Sequence, residues 1–337
     1  MRLIFLSAAR SFGGGERYLL SIIPLLRKSG YDTRLIFSTE SVPEELLDFV
    51  DFNFIPCDED VVVLNGLGSL YKWGKNLPKC KASIFIQHSL VNDGQSGVLK
   101  RFIRPMLIRY YLRKIDCVIR VCDIAFNSKY HSHVNTVHNG VDIVLQYPKP
   151  RVDSTEFTLG MLGSVNPNKN QEQIIRLLPK LSKHIKLRVV GDGPSIENLQ
   201  RLALELKVAD NIIWVGKSCN PISEIINCHV LLVLSKYEAL PFAALEAMSC
   251  GIPVLSTNVG GMPELVHDGF NGYTFDFGDN NELEKYVNLL ANDECHRQLL
   301  GRNAIKTISN DFSTSNMLNQ FVFILKSIEH HIAFPIA

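Results

Sequence analysis

The residues Tyr-Glu-Ala-Leu-Pro-Phe-Ala-Ala-Leu-Glu-Ala-Met occupy positions 237–248, shortly after the apolar run 230–234. A short apolar run bounded by polar residues predicts a buried strand. Pro241 suits the start of a helix, which we place at 243–249. The stretch therefore predicts a strand, a loop and a helix in succession, which is one unit of a parallel α/β sheet.

Two carboxylates in this stretch lie eight positions apart, with Glu238 on the loop and Glu246 about one turn inside the helix. A carboxylate accepts hydrogen bonds from paired hydroxyls, such as a ribose diol, without offering donors of its own. The free N–H groups and the positive end of the helix would receive a phosphate. The residues at that end are Phe242, Ala243 and Ala244. On spacing alone, two surface carboxylates on an amphipathic helix are the simpler interpretation.

Similar units extend in both directions from this stretch. The strands predicted in the first half are 3–7, 34–38, 61–64, 84–87, 117–121 and 135–138, and those in the second half are 158–162, 187–190, 212–215, 230–234 and 254–256. The two series predict two Rossmann-like domains, with ligands bound beyond the carboxyl ends of the strands. We place the first domain at 1–150, the second at 151–312, and a C-terminal segment that crosses back to the first domain at 313–337. The prolines of 146–150 suit the linker.

Composition excludes several other classes of protein. The 337 residues have a formal net charge of +1, which argues against a nucleic-acid-binding protein. The eight cysteines include no C-x-x-C pair, so we expect reduced thiols in a cytoplasmic protein. No run approaches the ~20 apolar residues of a transmembrane helix. We interpret the apolar N-terminal run as a buried strand, because it is shorter than the core of a typical signal peptide.

Glu238 and Glu246 match the E-x7-E motif of the GT-B glycosyltransferases, in particular the large retaining family 4, and the sequence resembles this family from 158 to 280. The further segments that carry the resemblance are 191–194, 214–216, 250–266 and 268–272. The resemblance implies two domains facing each other across a cleft and transfer of a sugar from a nucleotide-diphosphate donor to a glycan or lipid-linked acceptor. It implies that Glu246 binds the ribose, that Glu238 faces the sugar, and that no cofactor is needed.

The loop 163–170 departs from the family at one position. The family usually carries an arginine and then a lysine here, and both cations grip the donor diphosphate and stabilise the leaving nucleotide. Lys169 matches the lysine, whereas Ser164 occupies the arginine position and supplies a hydrogen bond without charge. Either another basic residue substitutes, or donor preference is altered, or activity is weak. We favour substitution or tolerance, because the rest of the motif is intact.

Two further positions are candidates on the donor side. Gly191 follows the strand 187–190 in a segment that resembles the family. Lys217 is a candidate for lining the base and ribose pocket, although an ordinary surface lysine is an equally good interpretation.

In the first half, Gly14 and Gly15 lie between the first strand and a helical pattern. Glycines there let backbone amides approach a phosphate or a sugar, and a flexible turn is the alternative. His88 ends the strand 84–87, and a lone histidine is more often structural. Family members carry a histidine at a comparable strand end, so the resemblance implies that His88 hydrogen-bonds the transferred sugar. It also implies that the acceptor binds near the two glycines.

Asp58, Glu59 and Asp60 satisfy the D-x-D manganese motif of another glycosyltransferase fold. The triplet precedes an apolar run, whereas a metal motif would end a strand. We therefore interpret it as a solvated turn and expect no metal site.

The segment 100–114 combines basic, aromatic and aliphatic residues without an acid. Such a stretch either lies on an anionic membrane surface, at the inner face of the plasma membrane, or packs on the first sheet with solvated cations. The cations concerned are Lys100, Arg101, Arg104, Arg109, Arg113 and Lys114. On the membrane interpretation the acceptor is lipid-linked, as in surface polysaccharide synthesis.

A rival from another class is a nucleotide-sugar-binding protein that has lost catalysis, which the Ser164 departure favours. It would bind the donor without turnover. An epimerase or phosphorylase of the same fold is less favoured, and a nicotinamide dehydrogenase lacks its glycine fingerprint.

Overall fold

A computed structural model of the chain describes residues 1–9, 12–38, 42–51, 55–91, 98–144, 156–218 and 220–329, with the side chains of 98–102 excluded. The chain forms two compact units. Residues 1–140 and 314–337 belong to the first unit, and residues 141–313 to the second. The predicted linker 146–150 lies outside the described residues.

The first unit contains a six-stranded parallel sheet in the order β2-β1-β3-β4-β5-β6. Its strands are β1 (Arg2–Ser7), β2 (Asp32–Phe37), β3 (Val61–Asn65), β4 (Ala82–Gln87), β5 (Cys117–Arg120) and β6 (Val134–Thr136). Its first three α-helices are α1 (Gly14–Lys28), α2 (Gly66–Trp73) and α3 (Val98–Tyr111). Strand β1 is buried between two neighbours, as expected for the apolar N-terminal run.

The second unit contains another six-stranded parallel sheet, in the order β12-β11-β10-β7-β8-β9. Its strands are β7 (Phe157–Leu162), β8 (Ile185–Val190), β9 (Ile212–Gly216), β10 (Val230–Val233), β11 (Val254–Thr257) and β12 (Gly272–Phe275). Its α-helices are α4 (Gln171–Leu177), α5 (Ile196–Glu205), α6 (Pro221–Ile225), α7 (Phe242–Ser249), α8 (Met262–Leu265), α9 (Asn280–Asn292) and α10 (Glu294–Asp311). The two sheets with flanking helices confirm the predicted pair of Rossmann-like domains.

Local chemistry explains where the elements differ from the sequence pattern. The helix predicted over 171–181 ends at Leu177 and continues as a 3₁₀ turn, because Pro179 lacks the N–H that another α-helical turn requires. Helix α2 was not predicted, since two glycines in its first three residues are typical of a loop. None of the described helices has both the length and the apolar character needed to cross a bilayer.

The prediction of a solvated turn at 58–60 is wrong for its last residue. Asp58 and Glu59 are exposed, but Asp60 is buried and accepts hydrogen bonds from Arg2 (2.6 Å) and from the Cys57 N–H (2.8 Å). Burial alone would raise the pKa of Asp60, and the bonds from Arg2 and Cys57 outweigh it and lower that pKa. The ion pair therefore secures the start of β1 against the turn that precedes β3.

The last helix, α11 (Thr314–Glu329), belongs to the first unit and packs against α1. The Phe321 ring is fully buried and stacks on Phe5 of β1, with 6.4 Å between the ring centroids. Two residues later on the same helix, Phe323 is 58% exposed. The helix thus completes the core of the first unit with chain from the far end of the sequence.

We expect Phe321→Ala to lower the free energy of unfolding by about 3–5 kcal/mol, because it leaves a cavity beside Phe5. The matched control Phe323→Ala should change it by no more than about 0.5 kcal/mol. Chemical denaturation of both variants tests this. Equal effects at the two positions would contradict the packing described for α11.

Candidate functional site

Two clusters of polar side chains lie at the carboxyl ends of strands, one in each unit. In the second unit the strand order reverses between β7 and β10, and ligands of open α/β sheets bind at such a switch point. In the first unit the order reverses between β1 and β3. The predicted residues Gly14, Gly15 and His88 belong to the first unit, and the other predicted site residues belong to the second.

Asn168 joins the loop after β7 to the loop after β10. Its side-chain Nδ2 donates to the Tyr237 carbonyl and its Oδ1 accepts from the Tyr237 N–H, both at 3.0 Å. Its backbone carbonyl accepts from the Lys236 N–H at 2.8 Å. Three hydrogen bonds therefore fix the two loops side by side, 69 residues apart in sequence. We did not identify Asn168 from the sequence, although it lies in the loop 163–170, where the chain departs from the family at Ser164.

Lys169 and Glu238 form an ion pair on these two loops. The Lys169 Nζ lies 2.5 Å from Glu238 Oε2, and the Ser235 hydroxyl donates to the same oxygen at 3.0 Å. A lysine ammonium has three N–H donors, so two remain for an anionic ligand. Both described bonds end on Oε2, which leaves Glu238 Oε1 to accept from a ligand hydroxyl. The arrangement can therefore bind a phosphate and a hydroxyl next to each other.

A pocket beside this ion pair reaches the start of α7. Lys169, Gln171, Ser235, Pro241 and Ala243 line it, together with residues of β7 and β10. Helix α7 begins at Phe242 without a side-chain cap, so the N–H groups of Phe242 and Ala243 are available to a ligand, whereas that of Ala244 donates to the Pro241 carbonyl. Of the remaining predicted residues, Phe242, Ala244 and Glu246 are buried. The structure thus brings Lys169, Glu238 and the first turn of α7 together.

Two glycines allow backbones to approach closely around this cluster. A Cβ on Gly191 would lie 1.9 Å from the carbonyl oxygen of Gly163, and one on Gly260 would lie 1.6 Å from that of Glu238. Both residues also have positive φ, 139° and 58°. Gly191 is therefore required for the approach of two loops. Gly260 sets the backbone of Glu238, a role that we did not predict.

Ser164 and Lys217 contribute less to the cluster. Ser164 is exposed, and its hydroxyl accepts a hydrogen bond from Asn166 Nδ2 at 2.8 Å. Lys217 is exposed after β9 and makes no hydrogen bond or ion pair with the described residues. Neither residue supplies a second cation to the Lys169–Glu238 pair in the described part of the chain.

In the first unit, His88 lies against Asn65. Asn65 is the last residue of β3, and His88 directly follows β4. The His88 Nε2 and Asn65 Oδ1 are 2.7 Å apart, and Asn65 Nδ2 donates to the Gly15 carbonyl at 3.3 Å. A Cβ on Gly15 would come within 3.3 Å of both side chains. Gly15 and His88 are therefore neighbours, whereas Gly14 is exposed at the start of α1. Asn65 was missed, although its position at a strand end was a usable signal.

The hydrogen bonds of Asn65 assign the tautomer of His88, and burial keeps the imidazole neutral. Because Asn65 Nδ2 is directed to Gly15, its Oδ1 faces the imidazole, which assigns the hydrogen to Nε2. Nδ1 is buried and has no hydrogen-bond partner among the described residues, so its capacity as an acceptor is unused. Burial lowers the pKa of His88 to about 3. His88 is therefore a neutral acceptor at physiological pH.

Glu16 directly follows Gly15 in α1. It is buried in the first turn of α1, and its Oε1 accepts from the Ser7 hydroxyl at 3.3 Å. Burial raises its pKa, against hydrogen bonds from its own N–H, from Ser7 and from Gly13. Tyr18 packs on the His88 ring with 5.0 Å between centroids. These contacts hold the glycine turn and the imidazole in place.

The predicted basic segment forms helix α3 and a following 3₁₀ turn, Leu112–Lys114. Arg109, Arg113 and Lys114 are exposed and Arg104 is half-buried. The side chains of Lys100 and Arg101 lie outside the described residues.

The sequence profile of the family described as "Glycosyl transferases group 1" matches residues 145–307, the part that contains the Lys169–Glu238 cluster. Residues 145–307 therefore belong to the group 1 glycosyltransferases. The match confirms the resemblance to GT-B glycosyltransferases found in the sequence.

Individual relatives agree with this assignment. The chain is 26% identical to N-acetyl-α-D-glucosaminyl L-malate synthase of Bacillus anthracis over 64% of its length, and it spans 60% of that protein. It is 22% identical to the capsular polysaccharide biosynthesis glycosyltransferase CapM of Staphylococcus aureus, over 87% of this chain and 89% of CapM.

A solved structure confirms the fold. HepE of Anabaena, in complex with UDP-glucose, matches with a TM-score of 0.84 at 19% identity, over 97% of this chain and 100% of that chain. At such identity the likeness bears on the fold alone.

We expect Asn168→Ala to speed hydrogen exchange at the Tyr237 amide and to lower the free energy of unfolding by about 1–3 kcal/mol. The reason is the loss of both side-chain bonds to Tyr237. Exchange mass spectrometry of peptides covering 235–242 measures the effect. Asn227→Ala, at an exposed amide that bonds the Ser223 carbonyl, is the control and should leave these peptides unchanged. Unaltered exchange in Asn168→Ala would refute the link between the loops.

His88→Gln should make the free energy of unfolding depend less steeply on pH. Between pH 6.5 and about 3 the unfolded chain binds a proton at His88 that the folded protein excludes, so stability falls as pH falls. One such group contributes a slope of up to about 1.4 kcal/mol per pH unit. Denaturation of both proteins at pH 5, 6 and 7 measures the difference, and exposed His267→Gln is the control. Parallel curves for wild type and His88→Gln would show that the imidazole is not held neutral.

Proposed function

We propose that the chain is a retaining, family-4-type glycosyltransferase that moves a sugar from a nucleotide-diphosphate donor to a glycan or lipid-linked acceptor. The observation that carries this proposal is the Lys169–Glu238 pair beside the start of α7. The pocket is lined by the cation and by the start of the helix with its N–H groups, and the carboxylate lies beside it, paired to Lys169. These groups complement a phosphate joined to a polyhydroxylated ligand.

The donor would bind mainly to the second unit. Its phosphates would take the two remaining N–H donors of Lys169 and the first N–H groups of α7, and its ribose would bind Glu246. Glu238 Oε1 would accept from a hydroxyl of the transferred sugar. Because the HepE structures contain UDP and UDP-glucose, we propose UDP-sugars as the first donors to examine.

The reaction that fits these groups is a front-face displacement. The bond between the anomeric carbon and the phosphate oxygen breaks, and the acceptor hydroxyl oxygen bonds to that carbon on the same face. The acceptor proton passes to the departing phosphate oxygen. Lys169 and the start of α7 stabilise the negative charge that develops on the phosphate. The described cluster supplies one cation for this, since Ser164 replaces the arginine usual in the family.

In the first unit, His88 Nδ1 would accept a hydrogen bond from the sugar, and the acceptor would bind near Gly14 and Gly15. Because the hydrogen of the neutral imidazole lies on Nε2, facing Asn65 Oδ1, Nδ1 can only accept, so we assign His88 to sugar binding. Relatives named for lipopolysaccharide and capsule synthesis support a surface polysaccharide as the product. We propose that the enzyme acts in the cytoplasm, at the inner face of the plasma membrane.

Calorimetric titration with UDP-, GDP- and ADP-sugars tests the donor assignment. Wild type should bind one nucleotide class selectively. Glu246→Ala should weaken that binding by about 1–3 kcal/mol, because a buried carboxylate no longer accepts from the ribose. The control Glu197→Ala removes an exposed carboxylate on α5 and should bind like wild type. No nucleotide-sugar binding, or equal binding by Glu246→Ala, would refute the donor site.

Ser164 favours one alternative function, a nucleotide-sugar-binding protein with weakened catalysis. Such a protein would bind the donor without releasing UDP in the presence of any acceptor. Measuring nucleotide release alongside the titration separates the two functions. Release that depends on an added glycan or lipid-linked acceptor supports the transferase, and tight binding without release supports the alternative.

A further inference from the structure

Helix α3 exposes a stripe of large apolar side chains. Ile103, Met106, Leu107 and Tyr110 are 43%, 73%, 43% and 47% exposed, respectively. Their spacing of three and four residues places them on one face of the helix. Each of the other described α-helices has at most one large apolar side chain that is exposed. A solvated surface helix does not require such a stripe, and contiguous exposed apolar surface marks an interaction site.

The opposite face of α3 is already used by the fold. Ile108 is fully buried and Leu112, in the 3₁₀ turn that follows, is 1% exposed, both within the core of the first unit. Tyr111 contacts Tyr71 of α2, with 5.6 Å between ring centroids. The helix is therefore held by one face, and its apolar stripe faces away from the core.

Cations lie beside the stripe. Arg109 and Arg113 are exposed next to it, Lys114 is exposed at its end, and residues 98–115 contain no Asp or Glu. The Arg113 guanidinium lies over the Tyr110 ring at 5.5 Å, and Lys114 Nζ donates to the Lys75 carbonyl at 3.2 Å. The charged side chains described on α3 and on the turn that follows it are thus all positive.

We propose that this face of α3 docks on an anionic lipid bilayer. Ile103, Met106 and Leu107 would enter the boundary between headgroups and acyl chains, and Tyr110 would lie at headgroup level. Arg109 and Arg113 would extend their side chains to the lipid phosphates. Helix α3 lies in the plane of the membrane in this arrangement. The proposed lipid-binding surface is argued only from the exposed side chains of α3 and of the turn that follows it. Its link to a lipid-linked acceptor rests on the proposed function.

Sedimentation of the full chain with vesicles tests the proposal. Wild type should sediment with phosphatidylcholine vesicles that contain phosphatidylglycerol, should not sediment with phosphatidylcholine alone, and should bind less as NaCl increases. Met106→Ser with Leu107→Ser should weaken binding at least about tenfold, because two apolar side chains no longer leave water. Arg109→Ala with Arg113→Ala should weaken it roughly tenfold as well. Thermal unfolding checks that each variant is folded.

The control is Leu204→Ser, which removes a leucine that is 67% exposed on α5, and it should sediment like wild type. Failure of wild type to bind anionic vesicles overturns the proposal, as does unchanged binding by Met106→Ser with Leu107→Ser. Self-association that disappears in this double variant, without vesicle binding, would assign the face to a second copy and also overturns it.

Donor titration in buffer without vesicles is a separate readout. Vesicle binding without nucleotide-sugar binding would support the lipid-binding surface and contradict the proposed transferase function. Nucleotide-sugar binding without vesicle binding would support the donor site and contradict the lipid-binding surface.

Discussion

The adjacency of β7 and β10 in the second sheet is the constraint on which the candidate site depends. Strand order reverses between them, so the connections that leave their carboxyl ends diverge and open a crevice. Asn168 then joins the two loops through Tyr237, and this places Lys169 against Glu238. In the first unit, β1 and β3 flank the reversal, and the start of α1 and the end of β3 place Gly15 and Asn65 beside His88.

Close approach between backbone segments requires glycine at two positions near the candidate site. Gly191 and Gly260 occupy positions where any side chain would collide with a neighbouring carbonyl, at Gly163 and at Glu238. Both also adopt backbone angles that favour glycine. The glycine-rich segments that carry the family resemblance thus have a local physical reason, which is the convergence of several loops at one edge of a parallel sheet.

The two clusters differ in electrostatics, in keeping with different tasks. Lys169 and Glu238 form a charged pair with unused donors and an unused acceptor. His88 contacts Asn65 and Tyr18, and burial keeps it neutral. The charged pair suits a phosphate and the charge of a leaving group. The neutral imidazole suits recognition of a hydroxyl, whose hydrogen bond does not change with pH over the physiological range.

The sequence by itself determined the alternation of strands and helices, the two Rossmann-like domains, the placement of Glu238 and Glu246 on a loop and a helix, and the family. Periodicity and strand ends are local properties, so they can be predicted. Only the tertiary structure decided that Asn168 meets Tyr237, that Asn65 meets His88, that Asp60 is buried against Arg2, and that α3 turns four apolar side chains outward. These contacts depend on which strands are neighbours and on which helix face the core covers, and spacing along the chain specifies neither.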